Sequence, residues 1–181
     1  EYSMHLGYNL AKHLLASGLQ VLAQGATAEL TQAQWTALTD KNLYDIRFIT
    51  NGAWASDASN QFMTTAAKTR GDCVALISFD ESDFGTSSYS VAGIQALVGN
   101  ISNGEFAAAF TPAFKTTNTD ISTTGAEVLV PAAFGYLFAY ARSIKNNPEW
   151  LAIAGFDRGI ISELSSVAHS FTTAEVNALQ C

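Results

Sequence analysis

The seven residues "CVALISF", Cys73 to Phe79, carry no charge and a single hydroxyl. A run this short and this continuously apolar fits a strand buried on both faces, as in a parallel sheet, because a half-buried strand would alternate with polar residues. Its flanks agree. Upstream, Ser56 or Asp57 caps a helix through Phe62, Met63, Ala66 and Ala67 to Arg70, and Gly71 ends it. Before that helix, "YDIRFITNG", Tyr44 to Gly52, reads as a strand closed by a turn. Thr31 to Thr39 is a short helix with Thr31 as N-cap and Gln34 completing a capping box. The chain starts with a helical pattern, His5 to Ser17, stopped by Gly18, and a short strand, Leu19 to Gly25.

Downstream, Ser87 or Ser88 is a good N-cap for a helix with Val91, Ile94, Ala96, Leu97 and Val98 on its apolar side, and Gly99-Asn100 can stop it. Glu105 to Phe110 is another apolar strand, and Thr111 to Gly125, rich in Thr and Asn, reads as a polar loop. A helix follows from Pro131 to Asn146, with Pro131 in its first turn. Short apolar strands alternating with helices long enough for right-handed crossovers predict one α/β domain over residues 1–181. The expected architecture is a mostly parallel sheet with helices on both faces, a three-layer α/β/α arrangement.

Composition narrows the functional classes. The 181 residues are 48% hydrophobic and only 14% charged, with a net charge of −7. So few charges cover a monomer's exterior poorly, which points to assembly. The nine basic residues are scattered, so a phosphate-binding face and a nucleic-acid partner are not expected. No apolar run approaches the ~20 residues of a membrane span, and no membrane partner is expected. Cys73 and Cys181 have no metal-ligand spacing and read as free thiols.

The strand ends, where an α/β sheet would hold a ligand, carry no Gly-rich phosphate loop, and no cofactor is expected. Asp80, Glu81 and Asp83 gather carboxylates but lack a calcium-loop spacing, so they read as a solvated turn. Arg70-Gly71-Asp72 spells an integrin-type tripeptide, yet it lies where a helix hands over to a strand. Asn100-Ile101-Ser102 fits a glycosylation acceptor, which matters only in a secreted protein.

"FGTSSYSVAG", Phe84 to Gly93, resembles the serine segment of subtilisin-like proteases, which would make Ser87 a nucleophile. A serine needs a histidine and a carboxylate to act. In chain order Asp, His, Ser, only His5 and His13 precede Ser87, with Glu1 the only acid ahead of them, while His169 follows it. The spacing from Ser87 to Gly93 is also two residues short, so no catalytic residues are assigned. A subtilisin-like serine hydrolase with a rearranged site stays as the alternative.

The most distinctive text is "VLVPAAFGYLFAYARSIKNNPEWLAIAGFDRGII", Val128 to Ile161. It resembles the tail sheath protein of contractile bacteriophage tails, where a Pro-containing helix entry, an aromatic-rich helix, Asn-Pro-Glu-Trp-Leu-Ala and a later Arg-Gly recur in this order. "LTDKNLYDIRFITNGAW", Leu38 to Trp54, and "AAKTRGDCVALISFD", Ala66 to Asp80, resemble the preceding sheath segments. "TTAEVNALQC", Thr172 to Cys181, resembles the stretch before the sheath C-terminal domain. The resemblance covers most of the chain in colinear order. It implies a central domain of subtilisin-like fold without a triad, part of a longer sheath protein whose N-terminal part and tube-facing C-terminal domain lie outside this chain.

The resemblance further implies a non-enzymatic subunit that polymerises around the tail tube and contracts to drive it through the host envelope. Its partners would be other sheath subunits, the tube and the baseplate, in a virion assembled in the host cytoplasm. Arg142, Lys145, Glu149, Trp150 and Arg158 are the candidate subunit contacts, as charges beside a conspicuous aromatic. For Tyr136, Phe138, Tyr140 and Trp150 themselves, helical spacing favours the core.

Overall fold

The computed structural model describes residues 31–50, 56–79, 89–117, 127–162 and 164–180. The expected elements at 5–17 and 19–25, the acidic residues 80–83, Ser87, Ser88, His5 and His13 lie outside them. In chain order the described elements are α1 (Gln32–Ala37), β1 (Phe48–Thr50), α2 (Asp57–Arg70), β2 (Val74–Ser78), α3 (Val91–Gly99), a 3-10 turn (Gly104–Phe106) and β3 (Ala107–Phe110). There follow β4 (Phe114–Thr117), β5 (Glu127–Val130), α4 (Ala132–Asn146), α5 (Gly155–Arg158), β6 (Ser166–Val167) and α6 (Thr173–Leu179).

The chain is mixed α/β, with a parallel sheet ordered β1-β2-β3 and a separate antiparallel sheet ordered β5-β4-β6. Register aligns Ile49 with Ala75 and Ala75 with Ala107 in one row, and Leu76 with Ala108 in the next. Paired residues in a parallel sheet point the same way, so alternate rows face opposite sides. Ile49, Ala75 and Ile77 pack with Met63, Ala66 and Ala67 of α2 and with Trp35 and Leu38. Leu76 packs with Ala133 and Leu137 of α4, joined by Phe48, Ala108, Phe110 and Tyr136.

Local signals explain most of the helices. Thr31 and Gln34 form the expected capping box on α1. Ser56 accepts from the Ser59 N–H at 3.2 Å at the start of α2, Asp57 sits in the first turn, and Gly71 closes the helix at φ 68°. For α3 the cap is Ser90, which accepts from the Gly93 N–H at 3.1 Å, rather than Ser87 or Ser88. Within its own segment, a hydroxyl reaches the orphan N–H groups best from the residue directly before the first helical position.

Other boundaries differ from expectation. Pro131 is the N-cap of α4, with ψ 140° still extended, so the helix starts one residue later. Proline has no side-chain acceptor to offer, and the buried Ser78 of β2 replaces it, accepting from the Ala133 N–H at 2.8 Å. The first strand spans only Phe48–Thr50, and Glu105 and Phe106 belong to a 3-10 turn. The segment read as a polar loop contains β4, in which Phe114 pairs with Val130 and with Val167. Thr116 and Thr117 are polar by composition yet β-branched, and fit a strand whose buried anchor is Phe114 at 2% exposure. Gly135 lets α4 lie close against β4: a Cβ there would lie 2.7 Å from Ile161 Cδ1 and 3.2 Å from Phe114 Cε1.

Arg70 is 1% exposed. Its guanidinium donates to the Leu38 carbonyl at 2.7 Å, the Tyr44 carbonyl at 2.9 Å and the Asp72 carboxylate at 2.9 Å and 3.2 Å. Within the Arg-Gly-Asp tripeptide the arginine is therefore turned inward, while Gly71 and Asp72 stay exposed. Burial pushes the adjacent Cys73 thiol up in pKa, with Arg70 opposing the shift, and Cys73 is free. Replacing Arg70 with Met strands two carbonyls, and urea denaturation should show a loss of about 3 kcal/mol. Replacing Lys68, whose 3.5 Å pair with Glu105 is exposed on both sides, should cost no more than about 0.5 kcal/mol. Equal losses would contradict the assignment of Arg70 as the tie between α1, the 38–44 segment and the sheet.

Candidate subunit-contact surface

Helix α4 supplies the base of this surface. Tyr136 and Tyr140, four residues apart, share a side of the helix and meet Phe48 edge-on at 5.6 and 4.8 Å between ring centroids. Phe110 stacks at a tilt on Tyr136 at 5.2 Å. Burial raises the pKa of both phenols, with the Glu149 carboxylate adding to the shift at Tyr140. Phe138 is half-buried. The core reading thus fits Tyr136 and Tyr140.

It does not fit Trp150, which is 82% exposed. The helix ends at Asn146, where Asn147 donates from its backbone and side chain to the Ser143 carbonyl at 2.9 and 3.1 Å. Pro148 then leaves helical geometry behind, so Trp150 falls outside the period that turns the tyrosines inward.

The stretch from Asn147 to Ser162 is a loop with one short helix, α5, fastened by charged side chains. Arg142 donates from α4 to the Ile160 carbonyl and to the Ser162 hydroxyl. Arg158 Nε donates to the Ala152 carbonyl at 3.0 Å. Glu149 pairs with Arg47, just ahead of β1, at 2.9 Å, both side chains being about half exposed. Lys145 sits in the last turn of α4, where a cation complements the helix dipole, and it makes no ion pair among the described residues.

The five sequence candidates are therefore gathered around one loop with different tasks. Arg142, Arg158 and Glu149 hold the loop's shape, whereas Trp150 projects from the loop and Lys145 from the last turn of α4. Sequence reasoning missed Phe156, 97% exposed, Ile160, 48% exposed, and Arg47 as the partner of Glu149. The available signal for Phe156 was its setting in "AGFDRG", an apolar residue with no partner at helical or strand spacing.

Two other features bear on binding. A cavity of about 440 Å³ is lined by Tyr89, Lys115, Glu127, Leu129 and Ala168. Its two ionic groups pair with each other at 3.7 Å, so it presents no uncompensated charge. His169 packs against Tyr89 and Phe171, with centroids at 5.2 and 4.7 Å, and its buried Nε2 makes no hydrogen bond among the described residues. Among the described residues no group of three or more His, Cys, Asp or Glu could hold a metal ion, and no helix is long and apolar enough to cross a membrane.

Comparison with known protein families, characterised proteins and solved structures found no match.

The exposure of Trp150 is directly measurable. In a Trp150→Phe variant, the tryptophan emission that disappears should be readily quenched by acrylamide, because Trp150 is 82% exposed, in contrast to Trp35 at 3%. Loss of a quencher-resistant component would return Trp150 to the core.

Proposed function

We propose that the chain is a structural domain of a contractile bacteriophage tail sheath, which polymerises around the tail tube and contracts to drive it through the host envelope. The observation that carries the reading is the colinear series of sheath-like segments, of which the most distinctive coincides with α4 and the braced loop. In that loop the aromatics of the sheath-like text, Trp150 and Phe156, face solvent rather than the core. Exposed aromatics on a fixed loop are what a subunit interface requires.

The finer architecture of the proposal is a three-layer α/β/α domain of subtilisin-like fold, within a longer sheath protein. Partners are other sheath subunits, the tube and the baseplate, with neither nucleic acid nor membrane and no cofactor. The site of action is the virion, after assembly in the host cytoplasm. Contraction would move such domains as rigid bodies, with the free energy held in contacts between them. A central strand, β2, buried from both sides over Ala75–Ser78 and a loop tied back to α4 by Arg142 suit a block that keeps its shape.

The hydrolase alternative has one supporting observation: His169, with its unpaired Nε2, packs against Tyr89, two positions along the chain from Ser87. Negative-stain electron microscopy of the protein expressed from its full reading frame, alone and with the tube protein, separates the two. Striated tubes or stacked rings are expected. Dispersed particles in both preparations, with fluorophosphonate labelling at Ser87, would overturn the sheath reading and select the hydrolase.

A further inference from the structure

Asn103-Gly104 is one of two Asn-Gly pairs in the chain, the other being Asn51-Gly52. An asparagine before glycine is prone to modify itself, because glycine has no Cβ to hinder its own nitrogen from reaching the asparagine side chain. The reaction needs only water. The Gly104 nitrogen bonds to Asn103 Cγ, the Cγ–Nδ2 bond breaks, and ammonia leaves with the glycine amide proton. Water then opens the resulting imide, at Cγ to give aspartate or at the main-chain carbonyl to give isoaspartate.

The fold restrains each part of this chemistry. Asn103 leads into the 3-10 turn between α3 and β3 in the left-handed conformation, at φ 57° and ψ 41°. At that ψ the Gly104 nitrogen lies nearly anti to Asn103 Cβ across the Cα–C bond, so ring closure requires roughly half a turn of rotation. The carboxamide is also clamped at both ends: Oδ1 accepts from Lys68 Nζ at 2.9 Å, and Nδ2 donates to Thr65 Oγ1 at 3.4 Å. The Asn103 carbonyl accepts the Phe106 N–H at 3.0 Å, a bond that the same rotation breaks. Yet the clamp is superficial. Thr65, Lys68 and Gly104 are exposed, and open space lies where a Gly104 Cβ would be. A surface turn held in this way opens far more readily than the core.

We propose that Asn103 is a self-modification site gated by its turn: unreactive while Lys68 and Thr65 hold it, and converted to aspartate or isoaspartate when the α3–β3 connection opens. The two products act differently. Aspartate keeps the backbone, and its carboxylate can accept from both Lys68 Nζ and the Thr65 hydroxyl, so the turn recloses with one more negative charge on a chain of net charge −7. Isoaspartate routes the chain through the former side chain, and the added main-chain carbon displaces the carbonyl that receives the Phe106 N–H. Either product is a permanent mark on a chain whose turn has opened. The assignment is independent of the sheath reading.

Peptide mass spectrometry over a time course, in buffer and in guanidinium chloride, reads conversion at Asn103 and Asn51 separately. In denaturant the two asparagines should convert at comparable rates, whereas in the folded protein Asn103 should convert about tenfold or more slowly than in denaturant. Lys68→Met combined with Thr65→Val should speed conversion in the folded protein about threefold or more, with no change in denaturant and an unchanged circular dichroism spectrum. Gly104→Ala should slow conversion in denaturant. Hydrogen exchange at the Phe106 N–H reads the same opening without a substitution and should be slowed to a similar degree. Equal rates at Asn103 in buffer and denaturant, a folded rate unchanged by the paired substitution, an unprotected Phe106 N–H, or an Asn103 that stays intact in denaturant would each overturn the proposal.

Discussion

Ala75, Leu76, Ile77 and Ser78 of β2 are each no more than 4% exposed, although successive residues point to opposite sides of the sheet. A strand in that position needs cover on both sides, and the neighbouring elements supply it. Met63, Ala66 and Ala67 of α2 meet Ala75 and Ile77, while Ala133 and Leu137 of α4 meet Leu76. Ser78 adds a polar tie to this apolar constraint by accepting the Ala133 N–H at the start of α4. The strand therefore fixes both where α4 lies and where it begins. The loop with Trp150 starts from the end of that helix, whereas β6 is placed by its pairing with β4.

Arg70 secures the opposite end of the strand. A buried guanidinium is expensive to desolvate, and it persists here because two carbonyls and a carboxylate satisfy its N–H groups. It joins the end of α2, the residue after α1 and the approach to β1, and so ties together the elements that precede β2. Arg47 and Glu149 bridge from that same approach to the exposed loop. Half-exposed as they are, they contribute little to stability, but they set the loop's orientation. A loop with two exposed aromatics, tied back to α4 by Arg142 and to the approach of β1 by Glu149, is a physical description that suits an assembly subunit.

Much of this was legible in the residues. Caps and stops fixed α1 and α2 through Thr31, Gln34, Ser56 and Gly71, because those signals act within a few positions of the chain. The unbroken apolar run of β2 announced burial on both faces. The antiparallel sheet was hidden, because Phe114-Lys115-Thr116-Thr117 has one buried anchor and gains its strand character from Val130 and Val167, partners distant in sequence. Trp150 misled for a related reason: aromatic identity suggests a core, and only the break after Asn146 releases it to solvent. The task of each charge around the loop could not be read from spacing, since Arg47 and Glu149 are brought together by the fold alone.

The central claim is that this domain is a fixed building block of a contractile sheath. Cryo-electron microscopy of the assembled particle, before and after contraction, tests it most directly. The account predicts this chain in the layer around the tube in both states, with α2, β2 and α4 superimposable and only the relations between copies changed. A sheath layer built of another chain, or a domain whose β2–α4 packing rearranges on contraction, would contradict it.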